Sequence, residues 1–218
     1  MKRTNMIKEI IILLMLLLPI IFMLTVWDKL PEKLPTHWNI RGEVDSYGAK
    51  YLFALINAAI YLIFLIIPKI DPRKKNYTIF STSYYKLRLI FTTFFSLLFI
   101  MILYNALYSN VDFEKIFPVA FLFLFAALGN YFGTIRSNYF VGIRTPWTLN
   151  NEEVWKKTHL FAGKLFAASG IIGGIICMSL DNPAADYFAI GLITVMVILP
   201  VVYSYVYYQK VENKTEEI

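Results

Sequence analysis

Of the 218 residues only one is cysteine, Cys177, and it lies inside an apolar run. No disulfide framework and no cysteine-based metal site can be built from it, and a small buried hydrophobe is its natural role. Histidine is nearly as scarce. His37 and His159 are the two in the chain, and neither has a nearby Cys or a helical His/Glu pairing to complete three ligands. Metal catalysis is not expected, and no cofactor is implied. Charge is thin as well: 17% of residues are charged against 58% hydrophobic, and mean hydropathy is +0.56. Those values exclude an ordinary soluble domain of this length.

What is present is apolar sequence in long runs. Six of them, at residues 7–27, 51–68, 87–108, 116–132, 160–180 and 187–208, approach the roughly 20 residues a helix needs to cross a bilayer. The first could be a signal peptide, but it is long for one and the bulky, charged Trp27-Asp28-Lys29 follows where small residues would mark cleavage. The expected fold is therefore all-α, a polytopic membrane protein with six transmembrane helices. Two regions divide it: residues 1–110, three helices with an external loop, and residues 111–218, three helices with a cytoplasmic loop.

An even number of spans puts both termini on one side. Of the 21 Lys and Arg residues, 16 fall on the side of the termini and 5 on the other. By the positive-inside rule the N and C termini are expected in the cytoplasm. The same distribution explains the net charge of +6 without nucleic acid, because the basic residues sit at the ends of apolar runs. All four tryptophans, Trp27, Trp38, Trp147 and Trp155, lie outside the span centres, as an interfacial aromatic belt would place them.

The span centres lack Asp, Glu, Lys, Arg and His, the residues that ion-coupled transporters and proton relays place there. Asn57, Thr92, Thr93, Ser96, Asn105 and Asn130 are the polar residues available, and their default use is interhelical hydrogen bonding at about 0.6 to 2 kcal/mol each. The fifth run carries Ala162, Gly163, Ala167, Gly170, Gly173 and Gly174, and the fourth ends with Ala126, Gly129 and Gly133. Small residues so spaced let two helices approach closely, so the fourth and fifth are expected to pack together.

The longest polar, turn-rich stretch between two apolar runs is 136–159, RSNYFVGIRTPWTLNNEEVWKKTH. Gly142 permits a bend, and Pro146 biases Thr145 away from the α region, so IRTPW should be extended or turned. A helix follows, capped by Asn150 with Glu153 in a capping box, or else by Thr148. Ser137 and Thr158 share a side with His159, but the spacing builds no catalytic triad, and the chain is not expected to be an enzyme. Arg144, with Trp147, Trp155 and Lys157, could meet a lipid phosphate or an acidic partner; Arg144 could equally anchor the loop by bonding helix-end carbonyls. On the other side, residues 28–50 hold Pro35, His37, Trp38, Asn39, Gly42 and Asp45, the punctuation of an ordered lid.

The same letters carry a resemblance. NYFVGIRTPWTLNNEEVWKKTHLFAGKLF (138–166) resembles the signature of the SdpI family of bacterial integral membrane proteins, and LPEKLPTHWNIRGEVDSYGAK (30–50) resembles the short amino-terminal domain that often precedes it. The resemblance implies a multi-pass protein of the bacterial cell membrane, in contact with membrane lipids, that gives resistance to an extracellular antimicrobial peptide toxin. It further implies that a toxin-bound protein holds a transcriptional repressor at the membrane. On that basis the cytoplasmic binding residues would be Asn138, Gly142, Arg144, Thr145, Pro146, Trp147, Thr148, Trp155, Thr158 and His159. The toxin-facing ones would be Pro35, His37, Trp38, Asn39 and Gly42. The alternative is a small-molecule or peptide transporter using the polar residues between helices, Asn57 and Asn130 among them.

Overall fold

The computed structural model describes residues 3–39, 43–109, 113–181 and 183–216. Among these, helices dominate. In chain order they are α1 (Arg3–Thr25), α2 (Tyr51–Ile70), the one-turn α3 (Asn76–Ile79), α4 (Ser81–Tyr108), α5 (Phe113–Phe132), the short α6 (Pro146–Asn150), α7 (Glu152–Met178) and α8 (Ala184–Glu216). All but α3 and α6 are long and apolar enough to span a membrane, which gives the six spans expected. The helices run past the apolar limits into polar sequence: α4 starts six residues before Leu87, and α8 continues eight beyond Tyr208. Hydropathy marks where lipid contact ends, whereas backbone hydrogen bonding continues into water.

The connection between α1 and α2 is a two-stranded antiparallel hairpin, β1 (Lys33–Trp38) and β2 (Val44–Ala49), with Lys33 opposite Ala49 and Trp38 opposite Val44. Its register is irregular around Pro35 and His37. Pro35 has no amide hydrogen to give a ladder, which fits such an irregularity. The hairpin is held down by Leu34, fully buried, and by the Trp38 ring, 4.8 Å from the Phe117 ring and 5.6 Å from Phe113. Those contacts carry one apolar cluster from α1 and the hairpin through α4 into α5, across the boundary between the two regions drawn from sequence.

At the opposite end, α1 and α4 begin, α2 and α5 finish, and α7 starts. Two observations bring these termini together: the Glu9–Arg88 ion pair joins α1 to α4, and residues 71–77 dock on the loop after α5. The closest helix pair is α5 with α7. A Cβ on Gly129 would come 2.6 Å from the Ala167 amide nitrogen, and one on Gly163 would come 2.8 Å from the Gly129 carbonyl oxygen. The small residues read from the sequence are thus the contact surface itself, where backbone meets backbone.

Candidate functional site

The loop between α5 and α7 is built from the middle outward on Asn138, which is fully buried. Its Oδ1 accepts the amides of Phe140 at 2.9 Å and Val141 at 2.6 Å, and its Nδ2 donates to the carbonyls of Arg136 and Val141, both at 2.9 Å. One side chain therefore closes the turn by replacing the bonds a regular element would have made. Residues 71–77 complete it. Asp71, 1% exposed, accepts from the Arg73 amide at 2.7 Å and the Tyr139 amide at 3.0 Å. The Tyr77 hydroxyl lies 3.0 Å from Asp71 Oδ2 and 3.1 Å from Asn138 Oδ1, so one proton serves two acceptors. Burial, reinforced by the hydrogen bond to Asp71, pushes the Tyr77 phenol above its ordinary pKa and keeps it a donor.

Arg73 adds a second tie. Its guanidinium donates to Ser137 Oγ and, at 2.7 Å, to the Leu149 carbonyl, and it lies 4.9 Å from the Tyr139 ring centre. Asn76 Nδ2 donates to the Ser137 carbonyl at 2.6 Å. The basic turn DPRKKNY, residues 71–77, is thus the clamp that orders the loop.

Downstream, Thr145 is extended, as Pro146 requires, but PWTLN is helical, which corrects the expectation of a turn. Pro146 takes the first helical position, where its missing N–H costs nothing. Thr145 Oγ1 accepts the Thr148 amide at 3.2 Å and Thr148 Oγ1 accepts the Thr145 amide at 2.9 Å, a reciprocal cap. The cap of α7 is Asn151, one residue after the expected Asn150, because α6 uses Asn150 as its last residue. Asn151 accepts the amides of Glu153 at 2.8 Å and Val154 at 3.1 Å. The T-P-x-T pattern held this signal.

His159 lies against Gly142. Its Nδ1 donates to the Trp155 carbonyl at 2.8 Å, and its Nε2 accepts the Ile143 amide at 3.0 Å, which defines a neutral imidazole with both nitrogens committed. Trp155 stacks on it at 4.1 Å and donates Nε1–H to the Ile135 carbonyl at 2.8 Å. Trp155 is 2% exposed, so it is a core residue and not part of an interfacial belt. Trp147 reaches across to α8, its ring 5.0 Å from Tyr205, and Thr145 Oγ1 lies 3.2 Å from Ser204 Oγ on the same helix.

The structure therefore brings all ten loop residues together, in two classes. Asn138, Thr145, Thr148, Trp155, Thr158 and His159 are buried. Thr158 Oγ1 has no hydrogen-bond partner, and the others hold the loop in shape. Arg144 and Pro146 are exposed, with Gly142 and Trp147 partly so. Arg144 donates to the Tyr139 carbonyl at 2.7 Å, anchoring the loop on itself and not on a helix end as expected. Between the start of α4, the end of α5 and the start of α7 lies a cleft of about 590 Å³ whose lining includes Arg136, Ser137, Glu152, Glu153 and Lys156.

At the other end, His37 Nδ1 is 2.6 Å from Asp45 Oδ1, and their side chains are 68% and 42% exposed. Asn39 holds the hairpin turn through Glu43, donating at 2.8 Å and accepting at 3.1 Å. Pro35 and Trp38 are partly buried, and Gly42 lies outside the described residues. One pair escaped the sequence reading. Glu9 accepts from Arg88 at 2.6 and 2.8 Å, near the ends of their spans, and Arg88 is 7% exposed. Glu9 falls within the apolar run 7–27, and no local pattern names its partner 79 residues away.

Six membrane-length helices, a tied loop at one end and a hairpin at the other define a multi-pass helical protein of the cell membrane. Residues 134–204 match the SdpI/YfhL protein family and residues 14–62 match a domain of unknown function, DUF1648. The chain is 25% identical to "Immunity protein SdpI" of Bacillus subtilis (strain 168) over 209 residues, 94% of this chain and 98% of that one. The chain is thus similar to the SdpI family, through the family match over residues 134–204 and the nearly end-to-end alignment to this relative. No solved structure matches it.

Proposed function

We propose that this chain is an immunity protein that protects its cell from an extracellular peptide toxin. The observation that carries the reading is the alignment to the Bacillus immunity protein, which runs nearly end to end in both chains and so takes in both the hairpin and the loop. With the termini in the cytoplasm, as the Lys and Arg distribution favours, the hairpin faces the toxin. It offers exposed His37 and Asp45 beside the exposed rings of Tyr47 and Tyr51, a mixed aromatic and polar surface suited to a peptide. The exposed rim of the loop, with Arg144 and Pro146, faces a cytoplasmic repressor. The two ends are joined by α5 and α7, which pack backbone against backbone.

The role is binding rather than catalysis: His159 has both nitrogens engaged, so its imidazole is not available as a base for Ser137 or Thr158. Transport is the other reading. Its candidate polar groups have structural uses, since Asn57 bonds Ser96 across α2 and α4 at 3.4 Å and Asn130 donates back to Ala126 of its own helix at 3.4 Å.

The test is survival of a sensitive host carrying the intact protein, or His37→Ala, Arg144→Ala or Trp147→Ala at matched membrane abundance, during exposure to secreted peptide toxins. Protection lost in His37→Ala alone is the expected result. Absence of protection by correctly inserted intact protein sinks the reading.

A further inference from the structure

A second pocket lies at the loop end, between the start of α1, the end of α2 and the start of α4, and holds about 450 Å³. Lys8, Lys74 and Arg88 line it with a single carboxylate, Glu9. Glu9 is bonded to both terminal nitrogens of Arg88, so that pair cancels and the two lysines remain as uncompensated charge. Among the described residues neither lysine is in an ion pair, and Lys8 Nζ rests 5.1 Å from the Tyr85 ring centre. Asp71, the nearest other carboxylate in sequence, is 1% exposed and bonded to loop amides.

Two further features give the pocket a chemical preference. Arg88 is 7% exposed, yet its Nε has no acceptor, and a buried N–H left unpaired is costly enough that an incoming acceptor gains by filling it. The hydroxyl-bearing Thr78 and Ser81 line the pocket, while Phe64, Leu65 and Pro68 make an apolar wall. Cations and hydroxyls against an apolar wall, at the membrane edge, match a phosphate joined to a hydrocarbon body.

We propose that this pocket binds a phosphate group carrying net negative charge, with Lys8 and Lys74 supplying charge and Arg88 Nε a hydrogen bond. Two sources have that chemistry: the headgroup of an anionic phospholipid and free inorganic phosphate. The apolar wall favours the lipid. The site does not depend on toxin immunity and would operate in a transporter equally.

The protein would be reconstituted in equal phosphatidylglycerol and phosphatidylcholine, transferred to detergent, and its retained lipid counted by native mass spectrometry. A parallel arm titrates lipid-free protein with inorganic phosphate and follows thermal unfolding. Intact protein should keep phosphatidylglycerol over phosphatidylcholine. Lys8→Gln and Lys74→Gln should each weaken retention about fivefold, and together about 25-fold. Lys33→Gln, at the hairpin end, should behave as intact protein. Stabilisation by inorganic phosphate without lipid preference, lost in the double variant, would support the site and assign free phosphate as its ligand. Equal retention of the two lipids with no phosphate effect would overturn the proposal, as would a folded double variant that retains phosphatidylglycerol like the intact chain.

Discussion

Gly142 and His159 meet so closely that a Cβ on the glycine would overlap the imidazole Nε2. Gly142 also has φ +109°, a conformation L side chains rarely adopt. The glycine is therefore a spatial requirement of the histidine as well as a hinge of the chain. Gly142→Ala should lower loop stability by about 1–3 kcal/mol through backbone strain and displacement of the ring. Gly191→Ala is the matched control, because nothing lies within 4 Å of a Cβ there. An alanine inside a helix is about 0.5–1 kcal/mol better than glycine, so that variant should be neutral or slightly stabilised. Thermal unfolding in detergent, with limited proteolysis of the loop, separates the two. Equal behaviour would mean that His159 can move aside freely.

Asn138 should be the least replaceable polar residue of the loop. Asn138→Leu strands the part-buried amides of Phe140 and Val141 and the carbonyl of Arg136, at up to about 1–3 kcal/mol for each, less where water reaches the group. Tyr77→Phe removes only a shared proton and should cost about 0.5–1.5 kcal/mol. Protease sensitivity between residues 134 and 151 should rise strongly in the first variant and slightly in the second. The reverse order would show that the clamp from residues 71–77, not the turn itself, carries the order.

Much of this architecture was legible in the sequence. Six spans followed from run length, and the α5–α7 contact from glycine and alanine spacing, because both depend only on local composition. The loop was located by its polarity, but its function as a docked unit was hidden. Asp71, Arg73 and Tyr77 act on residues more than 60 positions away, and DPRKKNY reads locally as a basic turn. The hairpin was hidden for a different reason: prolines and glycines declare punctuation, while strand pairing needs the register between two short segments. The displaced cap at Asn151 is a smaller miss, since either of two adjacent asparagines satisfies the pattern and only the end of α6 decides between them.

The Glu9–Arg88 pair ties α1 to α4 at the loop end. Removing one partner from a buried ion pair costs about 3–5 kcal/mol, and the lower part of that range applies because the Glu9 side chain is 32% exposed. Glu9→Gln and Arg88→Met should each destabilise the protein, with the arginine left unpaired in the first case suffering more. The combined Glu9→Leu, Arg88→Met variant should recover much of the loss, since replacing a whole buried pair by apolar groups is often neutral. A double-mutant cycle on thermal unfolding measures this. Additive losses would show that the two side chains act independently.

The hairpin gives the last prediction, because its two notable residues separate surface chemistry from anchoring. Trp38 packs on Phe113 and Phe117, and buried aromatic truncations cost about 3–5 kcal/mol in a full core, less for a ring that remains partly exposed. Trp38→Ala should therefore release the hairpin from α5 and raise its proteolysis, while Trp38→Phe should retain most of the anchoring. His37 and Asp45 form an exposed pair, and such pairs contribute about 0–1 kcal/mol. His37→Ala should leave the hairpin's protease resistance unchanged. Any loss of toxin protection in that variant then reports a lost contact, because the strand that carries residue 37 remains in place. Loss of hairpin order in His37→Ala, measured by the same proteolysis, would instead make the histidine a structural residue and remove it from the surface proposed to meet a toxin.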